Sequence, residues 1–186
     1  MYKRQGYNGN YQKDFYRFDP QAAAGQQWEI VNGFGGQKRQ GGTSFVIDDK
    51  AYICCGVNNG SYVYDFWCFD PSTGVFTQLR DIADTSDDDY DDDYTSIVRA
   101  NAVSFVIDGK GYLVTGEYGS LLSNYWIYDP ATDLWEGEDL TAFEGSVRKN
   151  AVAFSTGTRG FVVTGQASSS YYDDTWELSP YEYEEE

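Results

Sequence analysis

The chain has 186 residues, 30 of them Asp or Glu against 13 Lys or Arg, a formal charge of −17 and no histidine. That balance excludes a nucleic-acid binder, which needs clustered Lys and Arg for phosphate contacts. The missing histidine excludes Ser-His-Asp and Cys-His nucleophiles and the usual zinc sites. There are 17 Tyr, 11 Phe, 5 Trp and 20 Gly. Aromatic rings suit pleated surfaces and Gly suits tight turns, so the composition predicts an all-β fold of many short strands.

In chain order, Met1–Gln5 is charged, is followed by Gly and polar residues, and is not a signal peptide; it fits no repeat position. Gly6 marks the end of a second strand. A third strand follows over Asp14-Phe15-Tyr16-Arg17-Phe18, then a turn at Asp19-Pro20 and a fourth-strand aromatic, Trp28. The next unit opens on Arg39. Its strands are predicted at Ser44–Ile47, Lys50–Gly56, Asp65–Phe69 (with Trp67) and around Phe76. An acidic insertion then fills 80–98. The third unit opens on Arg99, continues through Ser104–Ile107, an Asp108-Gly109 hairpin turn and Lys110–Gly116, and carries Trp126 and Trp135. The fourth runs from Arg148 through Ala153-Phe154-Ser155 and Arg159–Gly165 to Asp174-Thr175-Trp176. Residues 181–186 are an acidic tail.

These parts recur at matched offsets. The motif ending in Pro20 returns at Pro71, Pro130 and Pro180, with spacings of 51, 59 and 50 residues. The long interval holds the acidic insertion. A period of about 50 residues, with four strands per unit, predicts a β-propeller of antiparallel blades. The expected blades are 6–38 (partial), 39–98, 99–147 and 148–180 (partial), a count that suggests the C-terminal fragment of a longer propeller or, alternatively, two chains completing one ring.

The segment Gly6-Tyr7-Asn8-Gly9-Asn10-Tyr11, followed by Asp14–Pro20, resembles kelch repeats of the bacterial and galactose oxidase-like propellers, and the resemblance covers about residues 6 to 180. Kelch units usually close the second strand on Gly-Gly. Here the pairs are Gly56-Val57, Gly116-Glu117 and Gly165-Gln166. The resemblance implies an exported or cell-surface protein. The copper centre of galactose oxidase uses His, so that activity is not implied.

In such blades the long connections share one face, here 57–64, 80–98, 117–123, 137–147 and 166–173, and function concentrates on loops held by a rigid scaffold. Tyr62, Tyr64, Tyr90, Tyr94, Tyr118, Tyr171 and Tyr172 fall there, either stacking on sugar rings or padding the seams between blades. Asp84, Asp87, Asp88, Asp89, Asp91, Asp92 and Asp93 offer oxygen ligands for weak Ca²⁺ binding, a patch for a basic protein, or a solvated loop without the Gly and Glu of an EF-hand. Arg39, Arg99 and Arg148 recur once per unit, a placement that suits satisfaction of backbone carbonyls between blades better than anion binding. Gly56, Gly116, Gly165, Trp28, Trp67, Trp126, Trp135 and Trp176 are expected to be structural. Glu117 replaces a glycine. Cys54, Cys55 and Cys68 form neither a CxxC pair nor a metal set, and are read as free thiols or a bridge across a hairpin.

No catalytic residue and no cofactor beyond Ca²⁺ is expected. The leading functional reading is a non-enzymatic module binding a protein or glycan through the long-loop face. The alternatives are a mutarotase-like sugar enzyme with a site at the ring centre and a structural part of a cell-surface complex. No apolar stretch is long enough to span a bilayer as a helix.

Overall fold

A computed structural model describes residues 2–3, 6–137, 140 and 142–178. Pro180 and the acidic tail 181–186 lie outside them, as does part of the 137–147 connection. The described residues contain strands and no helix, so none is long and apolar enough to cross a membrane.

Four antiparallel sheets follow one another. Blade I is β1 (Tyr2–Lys3), β2 (Phe15–Phe18) and β3 (Trp28–Val31), paired in that order. Blade II comprises β4 (Thr43–Ile47), β5 (Lys50–Cys54), the short hairpin β6 (Val57–Asn58) and β7 (Ser61–Tyr62), then β8 (Trp67–Asp70) and β9 (Val75–Gln78). Blade III repeats this with β10 (Val103–Ile107), β11 (Lys110–Val114), β12 (Glu117–Tyr118), β13 (Ser120–Leu121), β14 (Tyr125–Asp129) and β15 (Leu134–Glu136). Blade IV has β16 (Val152–Ser155), β17 (Gly160–Val163), β18 (Gln166–Ala167), β19 (Ser170–Tyr171) and β20 (Thr175–Leu178). The sheet orders are β4-β5-β8-β9, β10-β11-β14-β15 and β16-β17-β20, with each small hairpin standing apart.

Turn chemistry fixes each blade. Asp108 and Gly109 both take positive φ, 48° and 75°, the two-residue turn that matches strand twist. Asp48 and Asp49 do the same at 49° and 62°. After the third strand, the carboxylates of Asp19, Asp70 and Asp129 accept the backbone N–H two residues on, at 2.8–2.9 Å.

One expectation fails at the N-terminus. Residues 1–5 were expected to fit no repeat position, yet Tyr2 pairs with Arg17 as Tyr52 pairs with Cys68 and Tyr112 with Ile127. The spacing from that aromatic to the glycine ending the strand is constant at Tyr2–Gly6, Tyr52–Gly56, Tyr112–Gly116 and Phe161–Gly165. Tyr2–Lys3 is the second strand of blade I.

The core lies between blades rather than within them. Phe15, Phe34, Trp67, Phe69 and Ile53 pack at the first seam. Phe45, Tyr52, Phe66, Tyr128 and Trp135 fill the second, and Phe105, Tyr112, Tyr125 and Val162 the third. A Cβ built on Gly111 would overlap the Phe45 ring, and one on Gly160 the Phe105 ring, so each inner-strand Phe sits over a glycine of the next blade. The inner strands β4, β10 and β16 lie side by side, joined where Thr43 and Ser104 share a hydroxyl hydrogen bond of 2.7 Å.

Candidate functional site: the loop face

Each second strand ends in a sharp left-handed bend. Cys55, Thr115 and Thr164 take φ of 65°, 62° and 57°, followed by Gly56, Gly116 and Gly165 at 98°, 92° and 108°. A Cβ on Gly56 or Gly116 would approach the Gln40 or Ala100 carbonyl oxygen to 2.6 or 2.7 Å, so only glycine fits. The glycine carbonyl then accepts a hydrogen bond of 2.9 Å from Val63, Leu122 or Tyr172 N–H, closing the small hairpin; Gly6 accepts from Gln12 in the same way. The residue after each glycine bridges to the residue after the arginine that opens its own blade: Val57 to Gln40, Glu117 to Ala100, Gln166 to Lys149. These bridges bring the hairpins and the blade-to-blade connections onto one face. They use backbone atoms alone, which is why Val57, Glu117 and Gln166 serve where a second glycine was expected.

The three arginines hold this bend from inside. All are fully buried. Each Nε donates to the carbonyl two residues earlier, of Gln37, Ile97 or Ser146, at 3.3, 3.1 and 2.9 Å. Each Nη1 donates to the strained carbonyl of Cys55, Thr115 or Thr164, at 3.2, 3.0 and 2.9 Å. The guanidinium also meets the residue that starts the third-strand motif: Arg39 pairs with Asp65, Arg148 with Asp174, and Arg99 donates to Asn124 Oδ1 at 3.0 Å. The side chain therefore works within its own blade. Between blades it is the backbone that acts, with Gly56 N–H donating to the Arg99 carbonyl and Gly116 N–H to that of Arg148, at 2.8 and 2.9 Å.

The electrostatics differ between the three. Arg148, with Trp176 Nε1, holds the Asp174 carboxyl down to about 2. Arg99 has a neutral partner, and burial lowers its pKa to about 10. Burial opposes ionisation of the neighbouring Cys55 thiol, but the Cys54 hydrogen bond and the Arg99 and Arg39 charges bring it below its ordinary value. Cys54, Cys55 and Cys68 are free thiols.

Two residues after each arginine, Gly41, Asn101 and Asn150 share a left-handed φ of 65°, 57° and 56°. Asn101 N–H donates to the Gly41 carbonyl and Asn150 N–H to that of Asn101, at 2.8 and 3.0 Å. Glu117 sits beside this chain of bonds, accepting from Asn101 Nδ2 at 2.9 Å and Lys149 Nζ at 2.8 Å. It is an inter-blade tether.

The loop tyrosines divide. Tyr94 is a correction, because it is 5 % exposed and its hydroxyl accepts the Trp135 N–H at 2.8 Å, which places it in the core. Tyr90 is half-buried under the Arg80 guanidinium, and Tyr172 under that of Arg148. Tyr62 spans two blades, its hydroxyl accepting the Gly119 N–H at 2.9 Å and its ring lying 4.6 Å from Tyr118. Tyr64, Tyr118 and Tyr171 are exposed, Tyr171 by 81 %. Tyr7, 57 % exposed and in edge contact with Tyr11, joins them; the Gly-Tyr-x-Gly-x-Tyr spacing around it was the available signal. The repeated tryptophans also divide, with Trp67, Trp126 and Trp135 buried, Trp176 half-buried and Trp28 exposed.

The acidic insertion folds around Asp91, which is fully buried and accepts from the Thr85 and Ser86 N–H groups (both 3.0 Å) and the Ser86 hydroxyl (2.8 Å). Those donors lower its pKa, the Thr85 N–H most. Asp84, Asp91 and Asp92 each bring one carboxylate oxygen within 4.8 Å of the others. Asp87, Asp88, Asp89 and Asp93 are exposed and outside that group.

The Kelch motif family profile matches residues 38–81, from the run into Arg39 through β9. Blade II is a kelch repeat. Blade III has the same strand order, and blades III and IV the same buried arginine and glycine bend, so the described residues have the architecture of a kelch-repeat propeller, with two of the antiparallel blades four-stranded. No curated protein matches the chain as a relative. Kelch blades of this kind are interaction modules. Two shallow depressions, of about 230 Å³ beside Arg17 and Ile30 and about 270 Å³ beside Ile127 and Trp135, include no loop-face tyrosine.

Proposed function

We propose that these kelch blades form a non-enzymatic binding module that engages a protein partner through the loop face. The observation that carries this is the set of exposed rings, Tyr7, Tyr64, Tyr118 and Tyr171, on or just after the loop-face hairpins, with the acidic insertion lying between Tyr64 and Tyr118 in the chain. Tyrosine supplies large contact area with few rotatable bonds, and preorganised loops spend little entropy on binding. The eight acids between Asp81 and Asp93 favour a partner with a basic patch, whose approach they would steer. The non-enzymatic reading is supported by the chemistry of the face. Glu117 is tied to Asn101 and Lys149, and Asp91 is consumed by loop donors.

The test is affinity capture from an extract of the source organism with three immobilised chains: the wild type, a Tyr64→Ala/Tyr118→Ala/Tyr171→Ala variant, and a Ser72→Ala/Thr73→Ala variant on the opposite turns. A protein retained by the wild type and the opposite-face variant, lost by the tyrosine variant, and eluted by raised salt supports the proposal. Equal retention by all three overturns it.

A further inference from the structure

The seam between blades II and III brings the acidic insertion and two of the exposed rings onto one surface. Tyr62 of blade II and Tyr118 of blade III lie 4.6 Å apart across it, tilted by 52°. The Tyr62 hydroxyl accepts the Gly119 N–H, which fixes the pair to both hairpins. The insertion is anchored on the same seam. Ile82 N–H donates to the Tyr64 carbonyl at 2.9 Å, the Tyr94 hydroxyl accepts the Trp135 N–H, and the Cys55 thiol donates to the Ile97 carbonyl at 3.7 Å. Tyr62 and Tyr90 pack against one buried cluster there. Tyr118 and Tyr64 present ring surface to solvent, 49 % and 41 % exposed, as the insertion does the carboxylates of Asp87, Asp88 and Asp89.

Within the chain, loop-face tyrosines already receive guanidinium groups. Arg80, at the root of the insertion, lies over the Tyr90 ring at 4.6 Å, and Arg148 over the Tyr172 ring at 4.4 Å. Arginine suits such a place because its planar, weakly hydrated head stacks on an aromatic face while its N–H fork meets carboxylates. A lysine ammonium is a compact, strongly hydrated charge and gains less from a ring.

We infer that the partner presents arginine side chains to this seam, with guanidinium groups stacking on Tyr64 and Tyr118 and the carboxylates of Asp87, Asp88 and Asp89 supplying the attraction. This rests on the loop face being a protein-binding surface and specifies the chemistry that it reads. The carboxylates set the overall affinity and its salt dependence. The rings set the preference for arginine over lysine.

The test is fluorescence anisotropy of two labelled peptides, an arginine–glycine repeat and its lysine–glycine twin, titrated with the full chain at about 0.15 M salt. The wild type should bind the arginine peptide about fivefold more tightly, the gain that one or two exposed ring stacks give. A Tyr64→Leu/Tyr118→Leu variant keeps apolar bulk at two exposed positions and should bind both peptides alike. Tyr64→Phe/Tyr118→Phe should restore the preference, which a misfolded chain would not do. Asp87→Asn/Asp88→Asn/Asp89→Asn should weaken both peptides and leave their ratio unchanged. Equal affinity of the wild type for the two peptides, a preference that survives loss of both rings, or no binding of either peptide overturns the proposal. The loop-face reading is judged apart from this, by capture from extract. A protein captured through the tyrosines while the peptides fail would keep that reading and overturn arginine recognition alone.

Discussion

Arg99 and Asn124 face each other across 3.0 Å at the place where the flanking blades set Arg39 against Asp65 and Arg148 against Asp174. A buried guanidinium thus has a carboxylate in two blades and an amide in the third. Blade III compensates with an extra carbonyl, from Ser96, and a closer one at Asn124, 3.0 Å against 3.5 Å at Asp65, so the bend is held by neutral acceptors there.

The substitution Asn124→Asp should therefore stabilise the protein. A charged acceptor roughly doubles the strength of the hydrogen bond it replaces, and Ser96 can donate its hydroxyl where it now accepts from Asn124, giving a gain of about 1 kcal/mol. In a chain of this length that is about 2–4 °C in melting temperature. The reciprocal Asp65→Asn should lower it by more, because Asp65 is itself buried and also accepts the Gln37 N–H. Thermal unfolding followed by dichroism reads both. Equal and null effects would mean that the arginines need only neutral acceptors.

Acid should weaken blade IV. Asp174 is held at about 2 against its ordinary 3.8, foremost by Arg148. A depressed carboxylate contributes stability that is present above the ordinary value and lost as the pH falls through the folded one. The melting-temperature gap between wild type and Asp174→Asn should be full above pH 3.8 and close as the pH approaches about 2. A gap independent of pH over that range would assign the effect of the substitution to packing.

The glycines under the inner-strand rings test the seams. Gly111→Ala and Gly160→Ala each push a Cβ into a phenylalanine ring of the preceding blade. Overpacking of this kind costs about 1–3 kcal/mol. Gly60→Ala is a useful comparison, since its Cβ would meet nothing within 4 Å although its φ of 85° adds strain of its own. Urea unfolding should rank Gly111→Ala and Gly160→Ala by midpoint below the wild type. If restoring space through Phe45→Leu in the Gly111→Ala background recovers no stability, the overlap is not the cause.

The repeat, the all-β class and the blade order were legible because every unit restates the same Arg, Gly and aromatic-Asp-Pro signals. Tyr2 is marked by one spacing alone, the four residues from strand aromatic to glycine, in a pentapeptide otherwise unlike the other units. The Arg39–Asp65 and Arg148–Asp174 pairs were hidden by separations of 26 residues, although Asp65 and Asp174 already stood in the third-strand motif. The short hairpins β6–β7, β12–β13 and β18–β19 have no alternating pattern to announce them, since they are set by the glycine bend and two backbone bonds. Exposure was least legible. Tyr94 and Tyr171 look alike in a Tyr-rich loop, and only packing against Trp135 or open solvent separates them.

That separation gives the last prediction. Tyr94 anchors the acidic insertion to β15 through its hydroxyl, and Asp91 closes the insertion on itself through Thr85 and Ser86. Tyr94→Phe keeps the ring packed against Trp126 but leaves the buried Trp135 N–H without an acceptor, a loss of about 1–3 kcal/mol. Asp91→Ala frees two backbone donors inside the loop. Hydrogen exchange should therefore differ between them. Tyr94→Phe should raise exchange at Trp135 and lower the global melting temperature, whereas Asp91→Ala should raise exchange mainly at Thr85 and Ser86. Calcium supplies a second readout, because an ion at Asp84, Asp91 and Asp92 would have to draw Asp91 away from three donors it already satisfies. Addition of Ca²⁺ should accordingly leave Thr85 and Ser86 exchange unchanged in the wild type. If it instead protects them, the insertion is an ion-ordered loop and its acids are ligands before they are a docking patch.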